Sequence, residues 1–245
     1  MAMPLLLDRL LHTPHLERIV PHLPADTLHR VIQRCGLEDC GELVALATPE
    51  QIALMLDADV WSVHTPGTDE AFDVARFGLW LEVLMQSGAA IAAEKIAGID
   101  VDLIITGMAR HVAVFDPAAV SSHTTLDGEY AGGRESGETR VSEVGGYVVE
   151  ARRPAAWEAI VALLLHLDAE DPQYFHRLMR GCLRLSNGAR EADGFHDLLD
   201  DLEQDLFDRG ARREARRATQ GYVTPAQARA FLQAARALSR TWRRC

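Results

Sequence analysis

Histidines and aspartates of one part of the chain have the residue types and spacing of metal ligands. The candidate ligands are His166, Asp168, Asp171, His176, His196 and Asp200. Imidazole nitrogens and carboxylate oxygens bind divalent cations, provided that all of them reach one ion. Asp171 before Pro172 is also typical of a helix start, in which acidic residues act as ordinary caps. The capping interpretation is favoured, and a divalent metal site is kept as the alternative.

The end of the chain is rich in arginine. Residues 209–245 hold ten arginines and one acid, so this segment carries +9, residues 1–208 carry −20, and the whole chain carries −11. Arginines spaced i, i+4 form a cationic strip on a helix, and guanidinium groups bind carboxylates and phosphates. The candidate partner-binding residues are Arg212, Arg213, Arg216, Arg217 and Arg229. A protein partner or self-association is favoured over nucleic acid, because stacking aromatics are few and the protein is acidic.

Signatures of common enzyme chemistry are missing from the sequence. There is no GxSxG elbow, Walker loop, GxGxxG or HExxH motif. The four cysteines, Cys35, Cys40, Cys182 and Cys245, lack the spacing of a zinc knuckle and are too few for a disulfide scaffold. The sequence therefore favours a protein that is not an enzyme, and no catalytic residue or cofactor is expected.

Composition and capping signals predict the elements that must position these residues. Hydrophobic residues make up 48% of the chain but aromatic ones only 6%, which favours a mainly α fold. Thr48-Pro49-Glu50-Gln51 has the pattern of a capped helix start, and Thr224-Pro225-Ala226-Gln227 repeats it. Thr68 or Asp69 is predicted to open a helix through Phe72.

Three regions follow from these signals. Residues 4–120 are predicted to form a solenoid-like stack of short helices, anchored by Trp61 and Trp80. Residues 121–150 contain a Gly-rich loop, from Ser121 to Gly146, flanked by β-like segments at 112–115 and 147–150 that could pair as a ribbon. Residues 151–245 are predicted to form a C-terminal helical bundle with the Arg-rich tail, and the regions could pack as one domain.

Hydropathy predicts a location. No apolar run reaches the roughly 18 residues that a membrane-spanning helix needs, and Met1–Leu11 lacks the features of a secretory signal. A cytoplasmic protein is therefore expected.

Two segments resemble an uncharacterised bacterial family of unknown function. The first runs from Gly36-Leu37-Glu38-Asp39 through Thr48–Gln51 to Leu56–Trp61, and the second from Arg213–Arg217 through Gly221–Leu232. The leading helices are also similar, more faintly, to the intracellular N domain of MgtE-type magnesium channels. That second resemblance implies a right-handed stack of short helices with acidic surfaces and, by analogy, a response to magnesium.

The sequence thus favours a helical protein-interaction or regulatory module. A metal-dependent enzyme or divalent-cation sensor is the first alternative, and nucleic-acid binding through the Arg-rich tail is the second.

Overall fold

The computed structural model describes residues 4–62, 71–116, 140–191, 215, 218–219, 221, 223 and 225–242. The chain is mostly helical with one small three-stranded antiparallel sheet, which confirms the predicted mainly α fold with a β-ribbon. No helix in these ranges is long and apolar enough to cross a membrane.

The helices are short in the first part of the chain and longer in the second. They are α1 Pro4–Leu11, α2 Leu16–Ile19, α3 Ala25–Cys35, α4 Gly41–Leu46, α5 Pro49–Asp59, α6 Val74–Gln86, α7 Ala89–Ala97, α8 Val101–His111, α9 Trp157–Glu170, α10 Pro172–Glu191 and α11 Pro225–Trp242. Short 3₁₀ turns follow α2, at Val20–His22, and precede α4, at Glu38–Cys40.

The strands are equally short. They are β1 Trp61–Ser62, β2 Ala71–Phe72, β3 Val112–Phe115, β4 Val141–Val144 and β5 Tyr147–Ala151. The chain divides into two units, the first formed by Met1–Val60 and Val74–Arg190, the second by Trp61–Asp73 and Glu191–Cys245. The three-region division expected from the sequence stays a prediction.

The start of α5 confirms the predicted capping box. The Thr48 hydroxyl accepts a hydrogen bond of 3.2 Å from the backbone N–H of Gln51. The Gln51 side chain accepts one of 2.7 Å from the backbone N–H of Thr48. Both N–H groups would otherwise lack a partner at a helix start. The Gln51 amide also donates to the carbonyls of Val20 and Leu23, at 2.9 and 2.7 Å, so it joins α5 to the turn after α2.

The core of the first unit is built around α6. Phe77, Trp80, Leu81 and Leu84 recur at helical spacing and are at most 1% exposed. Helix α9 adds a second apolar stripe that includes Trp157. Trp80 therefore anchors the core as predicted.

The small sheet has the strand order β3-β5-β4 and is antiparallel throughout. Val112 pairs with Ala151 and Phe115 with Val148, which confirms the predicted ribbon. Residues 141–144 are a correction, since the sequence placed them in the Gly-rich loop and they form β4. Gly145 and Gly146 have φ of 55° and 78°. Two consecutive positive φ values allow a two-residue hairpin, which folds β4 back on β5.

The sequence predicted a helix that starts at Thr68 or Asp69 and continues through Phe72. Both start residues lie outside the described residues, and the prediction is wrong at Phe72, in the second unit. Phe72 lies in β2 and pairs with Trp61 of β1, and their rings meet edge to face with centroids 5.0 Å apart. Aromatic side chains that pack across two strands favour extended backbone at these positions. The following helix, α6, begins only at Val74. Trp61 is half-buried, and its ring packs on Phe72 in this pair of strands. Its predicted role in the core of the helical stack stays a prediction.

Candidate anion-binding site

Three arginines border one open cleft of about 700 Å³ in the first unit. The cleft is lined by Val74, Ala109, Arg110, Arg152, Arg153 and Pro154. We call it the arginine cleft. Its described lining contains three cationic side chains and no carboxylate, although the chain as a whole carries a net charge of −11.

The sheet register brings these arginines together. Arg110 lies one residue before the end of α8, which runs directly into β3. Because β3 and β5 are antiparallel and Val112 pairs with Ala151, residues just before β3 lie opposite residues just after β5. Arg110 and the pair Arg152-Arg153 therefore meet at one end of the sheet.

One backbone carbonyl holds the two later arginines. The backbone N–H groups of Arg152 and Arg153 both donate to the carbonyl oxygen of His111, at 2.8 and 3.2 Å. The position of these two residues is therefore determined by the α8–β3 junction, next to Arg110.

The His111 side chain is 1% exposed and bonds to one residue of the cleft. Its Nε2 donates to the carbonyl oxygen of Val74, a cleft residue, at 2.9 Å. Within the described ranges its Nδ1 is buried without a hydrogen-bond partner. Burial lowers the pKa of His111, and the positive charge of Arg153 lowers it further, against the opposing effect of nearby carbonyls and of Glu82. The imidazole is therefore neutral at neutral pH, and it adds no fourth positive charge.

The charges of the cleft suit an anionic ligand. Burial lowers the pKa of Arg110, but an arginine stays protonated at any physiological pH. Each guanidinium presents a planar fork of donors that matches a carboxylate or a phosphate. Glu82 lies near and accepts a hydrogen bond from the backbone N–H of Ala156 at 2.9 Å. Its carboxylate is thus bonded at the start of α9 and is not a lining residue of the cleft.

Arg110, Arg152 and Arg153 were not among the residues singled out from the sequence. Part of the signal was present, because an antiparallel ribbon of 112–115 with 147–150 brings residues just before 112 close to residues just after 150. Combining that pairing with a search for like charges at the ends of the two strands would have found the cleft.

A partly buried His–Asp pair, His29 and Asp59, is a second place where residue types suggest chemistry. Asp59, at the end of α5, accepts hydrogen bonds from His29 Nε2 at 3.1 Å, Arg76 Nε at 2.6 Å and Trp80 Nε1 at 2.8 Å. Burial raises the pKa of Asp59, but these three donors outweigh it and hold the pKa below its usual value. A catalytic dyad needs a nucleophile or substrate proton next to the histidine. The described geometry instead joins α3, α5 and α6 through one carboxylate.

The predicted metal ligands occupy different local environments. Asp171 is a helix cap, since its Oδ1 accepts a hydrogen bond of 3.0 Å from the backbone N–H of Tyr174. Asp168 lies against Gly145, where an added Cβ would be 2.7 Å from its Oδ1. The His176 ring packs on Phe175, with centroids 5.3 Å apart.

His166 lies half-buried on α9. His196 and Asp200 lie outside the described residues. Within the described ranges no group of three or more His, Cys, Asp or Glu side chains could hold a metal ion. Because two of the six predicted ligands lie outside those ranges, the complete set stays a prediction.

Among the predicted partner-binding arginines, Arg229 is exposed on α11. Arg212, Arg213, Arg216 and Arg217 lie outside the described residues. The cationic strip of the tail therefore stays a prediction.

Comparison with known proteins gives one match. A family model described as a family of unknown function (DUF6178) matches residues 5–192. The matched range contains the whole arginine cleft and the first of the two sequence motifs, whereas the tail motif lies beyond it. No curated protein and no solved structure matches the chain. The likeness of the leading helices to MgtE-type channels therefore stays a prediction.

Proposed function

The chain belongs to the DUF6178 family of unknown function, and we propose that it is a non-enzymatic protein-interaction module whose arginine cleft binds an acidic segment of a partner protein. One observation carries the proposal: Arg110, Arg152 and Arg153 surround a single cleft on a chain of net charge −11.

Electrostatics favour an anionic occupant. Three positive charges at one cleft repel one another. A bound anion offsets that repulsion, because it attracts all three guanidinium groups. Each arginine can donate two hydrogen bonds to one carboxylate, so a segment with two or three acidic side chains matches the cleft in charge.

A protein segment fits better than a nucleic acid. The described lining of the cleft includes no aromatic side chain on which a base could stack. The net charge of −11 also repels a long polyanion, which would extend beyond the cleft. A short acidic segment contacts only the cleft. A non-enzymatic role is supported by the same lining, which offers cations, apolar side chains and a proline.

The tail supplies a second proposed contact. Its arginines, Arg212, Arg213, Arg216, Arg217 and Arg229, would extend recognition to further acidic residues of the partner or of a second copy of the chain. We place this interaction in the cytoplasm. Two alternatives stay open, namely a divalent-cation sensor or metal-dependent enzyme using the six predicted ligands, and nucleic-acid binding through the tail.

The decisive experiment measures binding of a fluorescein-labelled, glutamate-rich peptide by fluorescence anisotropy at low salt. We expect the double variant R152E/R153E to bind at least about tenfold more weakly than the wild type, since each substitution turns an attraction into a repulsion. Labelled single-stranded DNA and inorganic phosphate serve as competing ligands in parallel titrations.

The matched control is R18E/R34E, which changes the net charge by the same amount at two exposed arginines outside the cleft. Equal weakening in both double variants would show a general charge effect and contradict the proposal. Tighter binding of DNA than of the peptide would instead favour the nucleic-acid alternative.

A further inference from the structure

Two cysteines lie at the ends of the connection that follows α3. Cys35 is the last residue of α3, and Cys40 ends the 3₁₀ turn before α4. Gly36 has φ of 100°, which reverses the chain direction at the helix end. The N–H of Cys40 donates to the carbonyl of Leu37 at 3.0 Å, which tightens the turn further. Only four residues separate the two cysteines, and the turn folds the second back toward the first.

The two thiols differ in access to solvent. Cys40 is fully buried, whereas Cys35 is partly exposed, and both are free thiols. Burial raises the pKa of Cys40 to about 12, and the neighbouring Cys35 thiol and Asp39 raise it further. The 3₁₀ turn that ends at Cys40 packs against α3, which ends at Cys35, so the fold holds the two cysteines on neighbouring elements.

We propose that Cys35 and Cys40 form a reversible intramolecular disulfide by exchange with a small-molecule disulfide of the glutathione type. This site is independent of the arginine cleft. It is a modification site that the spacing Cys-x₄-Cys did not suggest, because that spacing matches neither a zinc knuckle nor a CxxC redox motif.

The exchange proceeds in two steps. The accessible Cys35 loses its proton, and its sulfur attacks one sulfur of the small disulfide, which forms a mixed disulfide and releases one thiol. Cys40 then loses its proton and attacks the Cys35 sulfur, which forms the Cys35–Cys40 bond and releases the second thiol. The protein gives up two protons and two electrons, and one small disulfide takes them up and becomes two thiols.

Burial determines which step is slow. Only the thiolate form attacks, and the raised pKa of Cys40 makes that form scarce at neutral pH. The mixed disulfide on Cys35 is therefore expected to accumulate before ring closure. Once closed, the bond would link the end of α3 to the start of α4.

The test uses the full-length protein in buffers with increasing ratios of oxidised to reduced glutathione, followed by acid quenching, alkylation and trypsin digestion. Residues 35–76 contain no lysine or arginine before Arg76, so both cysteines fall in one peptide that holds neither Cys182 nor Cys245. Mass spectrometry then separates the dithiol, the mixed disulfide and the closed disulfide. The same series in concentrated urea gives the effective molarity of the thiol pair in the unfolded chain.

We expect the effective molarity of the thiol pair to be about tenfold higher in the folded protein than in urea, since the turn already brings the thiols together. A ratio of at least about threefold supports the proposal, and any lower ratio overturns it, because the fold would then not promote closure. A C35S variant, altered only at the partly exposed position, must leave Cys40 unmodified by glutathione under the same conditions. Modification of Cys40 in that variant would contradict the assigned order of attack.

Discussion

The indole N–H of Trp80 donates a hydrogen bond of 2.8 Å to Asp59 Oδ2. Trp80 is completely buried in α6, and Asp59 is the last residue of α5. The same oxygen accepts from Arg76, and the other carboxylate oxygen accepts from His29 of α3. A single carboxylate thus satisfies polar groups from two other helices.

The substitution D59A is expected to lower the free energy of unfolding by about 3 kcal/mol, because it removes the carboxylate from the half-buried guanidinium of Arg76 and leaves the buried indole N–H of Trp80 without this acceptor. Urea denaturation measures the effect. The control is D26A, which removes the exposed carboxylate that pairs with Arg30, and a loss of about 0.5 kcal/mol is expected there. Equal losses in the two variants would show that the hydrogen bonds to Asp59 are not what stabilises this junction.

Gln51 is expected to be more important for stability than the cap residue that it partners. The substitution Q51A removes the acceptor for Thr48 N–H and the donor for two carbonyls, so a loss of about 3 kcal/mol is expected. The substitution T48A removes one cap hydrogen bond, with an expected loss of about 1 kcal/mol. Thermal and urea unfolding of both variants tests this order. The exposed Q33A is the control and should change stability by about 0.5 kcal/mol or less.

The lowered pKa of His111 predicts that the free energy of unfolding decreases in mild acid. Its folded-state pKa lies below the ordinary value of 6.5, so the unfolded chain binds the proton more readily. The stabilisation that comes from the neutral His111 side chain is complete above the ordinary pKa of 6.5. It is lost as the pH falls through the pKa of His111 in the folded protein. Unfolding free energies of the wild type and of H111Q, measured between about pH 7.5 and about pH 5.5, should show a smaller pH dependence in the variant.

The exposed His22 offers the matched control for that comparison. H22Q should retain the pH dependence of the wild type. If H111Q and the wild type lose stability in parallel, His111 is not the group responsible.

Divalent metals are expected to leave the melting temperature unchanged. An interaction module that needs no metal should melt at the same temperature with EDTA, Mg²⁺ or Zn²⁺, whereas a specific site raises the melting temperature in a saturable way. Differential scanning fluorimetry over a metal titration makes the comparison. A saturable shift that is lost in H176A and in H196A would instead establish the metal alternative.

Local signals in the sequence predicted much of the fold. The capping box at Thr48 depends on residues three apart, and the ribbon of 112–115 with 147–150 depends on two apolar strands, so both could be inferred. Strand β4 was missed because its four residues, two of them polar, carry little strand signal without the Gly145-Gly146 turn. The β1–β2 pairing was missed because Phe72 also fits the helical spacing of α6.

The sites depend on contacts between distant residues, which explains why they were harder to infer. Asp59 contacts residues 17, 21 and 30 positions away, so no local pattern marks it as a shared acceptor. The arginine cleft depends on a strand register that spans the whole Gly-rich region. Like charges at Arg110 and Arg152 become neighbours only after that register forms.

The shared carbonyl of His111 has a thermodynamic consequence for recognition. This carbonyl holds the backbone of both Arg152 and Arg153 beside the end of α8. The loss of backbone conformational entropy that orders the cleft therefore occurs on folding and not on binding. A partner segment would therefore bind to a preorganised site, and only the arginine side chains and the segment itself would lose freedom. Changes to the α8–β3 junction should thus alter affinity without altering a single contact to the partner.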